Sequence, residues 1–119
     1  MLTVFGKFSR KLRIDHGELI KDMANKLGVT SAYVSAVEVG KRKIPEEWLN
    51  MMKQFYNMTQ EEENEMHRAY DQSVSQVKID LTDASPDYRE TAMVFARELK
   101  NLDENDVKDI LEKIKKKRR

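Results

Sequence analysis

Residues 19–43 read LIKDMANKLGVTSAYVSAVEVGKRK in one-letter code, and this stretch decides the fold. Met23, Leu27, Val34 and Val37 recur at the spacing of two short amphipathic helices, with Val29 apolar between them. Ala24 is small where such helices cross closely, and Gly28 permits a left-handed turn that other residues resist. Thr30 is suited to cap the helix that follows, because its hydroxyl accepts from an otherwise unpartnered backbone N–H. The pattern predicts one helix over 18–27 and another over 31–39, closed by Gly40.

Working outward, Val4, Phe5, Phe8 and Leu12 predict a first helix over 4–14, with Lys7, Arg10, Lys11 and Arg13 on its other face and a break at 15–17. Pro45 suits the first turn of a fourth helix over 45–56, whose apolar face is Trp48, Leu49, Met52 and Phe55. Thr59 followed by Glu62 is a capping box, and it opens a fifth helix that runs to about residue 72. Beyond it the period changes. Val77, Ile79 and Leu81 alternate with Gln76, Lys78 and Asp80, the pattern of a half-buried strand over 75–82 with no second strand in the chain. Ser85 and Pro86 then open a helix over 87–100 with Ala92, Phe95, Ala96 and Leu99 inward. Asp103 caps a last helix carrying Val107, Ile110, Leu111 and Ile114. The expectation is an all-α fold: a five-helix domain over 1–74 and a strand-plus-two-helix extension over 75–119 for dimerisation or partner binding, its strand pairing antiparallel with that of a second copy, that ends in a basic tail.

Charge is segregated although the net value is only +1. Residues 1–45 carry 9 basic and 4 acidic side chains, residues 46–112 carry 7 and 17, and residues 113–119 carry 6 and none. A basic end can neutralise phosphates and release counterions, whereas an acidic middle is repelled by DNA and should face elsewhere. The run 115–119 reads either as a solubilising tail or as a further phosphate contact.

The stretch 19–43 resembles the helix-turn-helix of Cro and the phage repressors, the XRE family. The likeness rests on Ala24, the Leu27-Gly28-Val29-Thr30 turn, Val34-Ser35, and Glu38 followed by Gly40-Lys41-Arg42. It extends over about residues 5–55. The resemblance implies a repressor-like DNA-binding domain whose third helix enters the major groove of an operator. Carried over by position, Ser31, Ala32, Tyr33 and Ala36 face the bases, with Thr30 and Ser35 near the backbone. That set is poor in long hydrogen-bonding side chains, so direct readout is modest unless Tyr33 reaches a base or DNA shape contributes. Where family members often place a polar cap and a glutamine against phosphate, this chain has Leu19 and Ile20. Phosphate anchoring therefore falls to Lys41, Arg42 and Lys43, with Arg10 and Lys11 as further candidates.

Other chemistries find little support. His16 and His67 lie far apart without metal-ligand spacing, so they read as surface or capping residues, and no metal or cofactor is expected. Glu61, Glu62, Glu63 and Glu65 scatter around the start of a helix and read as a solvated face. Tyr70, Tyr88 and Phe95 and the methionines Met51, Met52, Met58, Met66 and Met93 read as core or interface packing. No nucleophile with its base, phosphate-cradling loop or paired carboxylates can be assembled, so an enzyme is not expected. Cysteine is absent, which excludes disulfides, and no apolar run approaches a membrane span; a cytoplasmic location follows as an expectation. The sequence thus predicts a transcriptional regulator, a repressor, that binds a double-stranded DNA operator as a homodimer. The alternative is an antitoxin or phage-encoded inhibitor that binds a protein partner through its acidic half and represses its own operon.

Overall fold

The structure, a computed structural model, describes residues 1–117. The chain is all-α, and among the described residues there is no strand. It divides into two compact units, Met1–Val77 and a second from Lys78 onward.

The first unit holds five helices: α1 (Val4–Asp15), α2 (Ile20–Leu27), α3 (Ser31–Glu38), α4 (Glu47–Phe55) and α5 (Gln60–Asp71). Each start has a local cause. The Thr3 hydroxyl accepts from Gly6 N–H at the head of α1, and Thr30 and Thr59 cap α3 and α5 in the same way. Glu62 completes the box at α5 by accepting from Thr59 N–H at 2.9 Å. At α2 the capping residue is Leu19, which has no side-chain acceptor. Asp22 supplies the other half of a box by accepting from Leu19 N–H at 2.8 Å. Gly28 ends α2 in the left-handed conformation at φ 72°. Helix α4 begins at Glu47, two residues past Pro45, after backbone turn bonds to the Pro45 and Glu46 carbonyls.

One core joins these helices. Phe5, Leu12, Met23, Ala24, Leu27, Val34, Val37, Trp48, Met52, Tyr56, Met66 and Ala69 are buried together. The apolar positions predicted on α2 and α3 are inside, with Val29 half-buried between them. Two placements differ from expectation. Phe55 points outward, 49% exposed, and Tyr56 takes the inner position at the end of α4. Val4 also lies outside, because the N-terminal turn of α1 is held instead by Phe5, whose N–H donates to Ser73 Oγ at 2.8 Å.

A polar cluster ties α2 to α4. Glu18 accepts from the Tyr56 hydroxyl at 2.6 Å and from Lys26, whose ammonium lies 4.5 Å from the centre of the Tyr56 ring. Burial pushes the Glu18 carboxyl up, but hydrogen bonds from Lys26 and Tyr56 and the Lys26 charge outweigh it, holding the carboxyl below its ordinary value. Burial, and then the Glu18 carboxylate, push the Tyr56 phenol far above its ordinary range.

In the second unit, α6 (Pro86–Glu98) passes through a short 3-10 turn (Leu99–Asn101), and α7 (Glu104–Lys117) follows. Ser85 caps α6 and Asp103 caps α7, the latter accepting from Asp106 N–H at 2.8 Å. The strand expected over 75–82 is absent. Val77 and Ile79 are 76% and 65% exposed, so the alternation marks no buried face. A strand exists through its ladder of hydrogen bonds, and this segment has no neighbouring edge among the described residues. Its end folds locally instead. Asp80 accepts from Thr82 N–H at 2.9 Å, and Arg89 donates to the carbonyls of Thr82 and Ala84. The inward face expected from Ala92, Phe95, Ala96 and Leu99 does not form: Ala92 is half-buried, and Phe95 and Ala96 on α6 and Leu99 in the 3-10 turn are exposed. The basic run continues α7 as far as Lys117; Arg118 and Arg119, the rest of the predicted tail, lie outside the described residues. No described helix is long and apolar enough to cross a membrane.

Candidate nucleic-acid interface

The candidate surface is built around α3. Its inner side is committed to the fold: Val34 and Val37 are in the core, and Glu38 is 3% exposed. Its outer side is bare, with Ala32 and Ser35 exposed and Ser31, Tyr33 and Ala36 half-buried. The small size of Ala32, Ser35 and Ala36 leaves the helix backbone close to whatever approaches that side. Thr30 is exposed, but its hydroxyl already accepts from Tyr33 N–H at 3.0 Å as the cap of the helix.

Both ends of α3 are held. At the C-terminal end, the Glu38 carbonyl accepts from Thr3 N–H at 3.0 Å and from the Thr3 hydroxyl at 3.2 Å. The Glu38 carboxylate reaches across to α1 and accepts both terminal nitrogens of Arg13, one of them at 3.3 Å. Arg13 also points toward Met23 sulfur at 3.4 Å, which in turn receives Ser9 Oγ at 3.3 Å. Arg13 is therefore not on the solvated face assigned to it by periodicity; it is buried and paired. The close crossing explains Gly6, since a Cβ there would sit 2.1 Å from the Glu38 carbonyl oxygen. A three-residue Gly6–Ser9 spacing beside Phe5 and Leu12 is the trace these contacts leave in the sequence.

The chain leaves α3 through Gly40 at φ 81°, with Lys41 and Arg42 N–H groups both donating to the Ala36 carbonyl, at 2.9 and 3.3 Å. Lys41, Arg42 and Lys43 are all exposed. This turn folds back far enough that the Arg42 guanidinium lies 4.6 Å from the centre of the Tyr33 ring. The Tyr33 ring also meets Trp48 of α4, tilted, with ring centres 5.9 Å apart. Tyr33 is thus packed between α4 and a cation, which orders it and brings a positive charge to the first turn of α3. That turn contains no acidic residue, so nothing there offsets the partial positive charge of the helix N-terminus.

Among the basic residues of α1, Lys7, Arg10 and Lys11 are exposed. Lys11 is bonded to Asp15 at 3.1 Å, and that hydrogen bond together with the Asp15 charge holds its ammonium above the ordinary value. His16 caps α1 with its ring T-shaped to that of Tyr56, 5.0 Å between centres, and His67 is a surface residue 3.8 Å from Glu63. Among the acids of α5, Glu62 serves the cap and Glu63 pairs with Lys53 at 3.3 Å. Comparison of the chain with protein-family models, with curated proteins and with solved structures finds no match.

Proposed function

We propose that the first unit binds double-stranded DNA, with α3 in the major groove, and that the chain is a transcriptional repressor acting as two copies on two half-sites. One observation carries the reading: an eight-residue helix fixed at both ends and along its inner side, whose outer side holds only small residues and Tyr33, beside three exposed cations. A major groove admits a helix, and small outer residues let the backbone approach closely. Lys41, Arg42 and Lys43 would neutralise phosphates flanking the groove, and Arg42 would do so from its seat on Tyr33. Ala32 and Ala36 offer only apolar contact with thymine methyls, and Ser31 and Ser35 give ambiguous hydrogen bonds. Specificity then rests heavily on DNA shape and on two copies reading half-sites about one turn, roughly 34 Å, apart.

The test is Ala32→Glu, on a duplex identified by sequencing DNA that copurifies with the protein. Ala32 is exposed, so the fold should melt as the wild type does, while an anion placed among phosphates should abolish binding. A folded Ala32→Glu protein that binds like the wild type refutes the placement of α3. The bare apolar faces of α6 and α7 favour a protein interface in the second unit.

A further inference from the structure

Among the described residues, the second unit has helices but no core. Neither α6 nor α7 contributes a buried residue. On α7, Val107, Ile110, Leu111 and Ile114 form one stripe at helical spacing, and all but Ile110 are exposed, Ile114 at 62%. Phe95 on α6 and Leu99 in the 3-10 turn extend the bare apolar surface. A 14-residue helix is marginal by itself in water, and burial of its large apolar side chains would add to its stability. A covering surface would stabilise these helices.

The charges of α7 say which surface fits. Glu104, Asp106, Asp109 and Glu112 precede Lys113, Lys115, Lys116 and Lys117, with Lys108 as the single base among the acids. The helix macrodipole accounts for acids in the first turn and bases in the last, but Asp109, Glu112 and Lys113 lie between those turns. None of the ion pairs found among the described residues involves α7. A helix with an acidic front and a basic back complements itself in one orientation only, antiparallel. A two-fold axis presents the same patch from both partners and so requires that self-complementarity.

We infer that a second copy of this chain covers these stripes, with the two α7 helices antiparallel about a two-fold axis, so that the Glu104 end of each lies beside the Lys117 end of the other. Apolar contact along Val107, Leu111 and Ile114 supplies the affinity, and the charge order sets the direction. This deepens the two-fold arrangement proposed above. Its test reads mass rather than DNA binding, so either reading can fail without the other.

The experiment is light scattering on the full chain at low salt. The wild type is a dimer. Glu104→Lys with Asp109→Lys turns the acidic front of α7 net basic, with Asp106 the one acid left there, and, by symmetry, turns four attractions into repulsions. At about threefold each, dimerisation weakens by about a hundredfold. Adding Lys113→Glu and Lys117→Glu to that variant makes residues 112–117 net acidic behind the net basic front, which inverts the charge order, so the fourfold variant dimerises with itself again but does not mix with the wild type. Recovery also shows that the helices still fold. A monomeric wild type overturns the inference, as does an acid-to-lysine variant that dimerises normally. Free mixing of the fourfold variant with the wild type overturns the antiparallel order.

Discussion

Replacing Glu38 by Ala removes the carboxylate that holds the Arg13 guanidinium, and the cost follows from what Arg13 has left. Its side chain is 9% exposed, and its remaining neighbour within hydrogen-bond reach is the Met23 thioether, a weak acceptor. A buried charge stripped of its partner typically costs about 3–5 kcal/mol. A unit of this size is stable by about 4–11 kcal/mol, so Glu38→Ala should consume a large part of the total. With a urea slope of about 1 kcal/mol/M, the midpoint should fall by about 3 M or more, read from the fluorescence of Trp48, the single tryptophan and a core residue of the first unit. The control is Arg13→Met with Glu38→Leu. It removes both charges while keeping volume, and it should return to within about 1 kcal/mol of the wild type. The Glu38 carbonyl bonds to Thr3 survive in both variants, because they belong to the backbone. A Glu38→Ala protein within about 1 kcal/mol of the wild type would refute the reasoning. A double variant as damaged as the single one would show that shape, not charge pairing, is what the site demands.

Two further outcomes are expected. Changing Lys41, Arg42 and Lys43 to Ala should weaken binding to any duplex and lower the salt slope of log K by roughly one unit per lost phosphate contact; an unchanged slope on a random-sequence duplex contradicts the phosphate role. Glu18 has a folded-state carboxyl below its ordinary value, so its contribution to stability is complete above the unfolded value of 4.5 and is lost as pH falls through the lower folded one. Glu18→Gln should therefore be less stable than the wild type at pH 7, with the gap closing toward pH 3; urea midpoints that differ equally at both ends count against the Lys26 and Tyr56 bonds as its source.

Much of the helical outline was legible from neighbours in the chain. Thr30, Thr59, Ser85 and Asp103 cap helices where the sequence placed them, because a cap is made within three residues of its helix. Gly28 turns left-handed between α2 and α3, and Met23, Ala24, Leu27, Val34 and Val37 are buried in the expected register, since one face of a short helix can go inside only against its nearest neighbour. What required the tertiary structure depends on residues far apart in sequence. Periodicity placed Arg13 with the solvated bases of α1, and only the arrival of Glu38, twenty-five positions later, makes its burial tolerable. Gly6 is explained by a carbonyl of α3, and Tyr56 rather than Phe55 turns inward because Glu18 and Lys26 await its hydroxyl and ring. The alternation at Val77, Ile79 and Leu81 met the local criterion for a strand but, among the described residues, lacked its non-local one, a neighbouring edge to bond. Local rules therefore set where the helices lie in this chain, and the packing of distant residues decided which of its polar groups are inside and which apolar ones stay out.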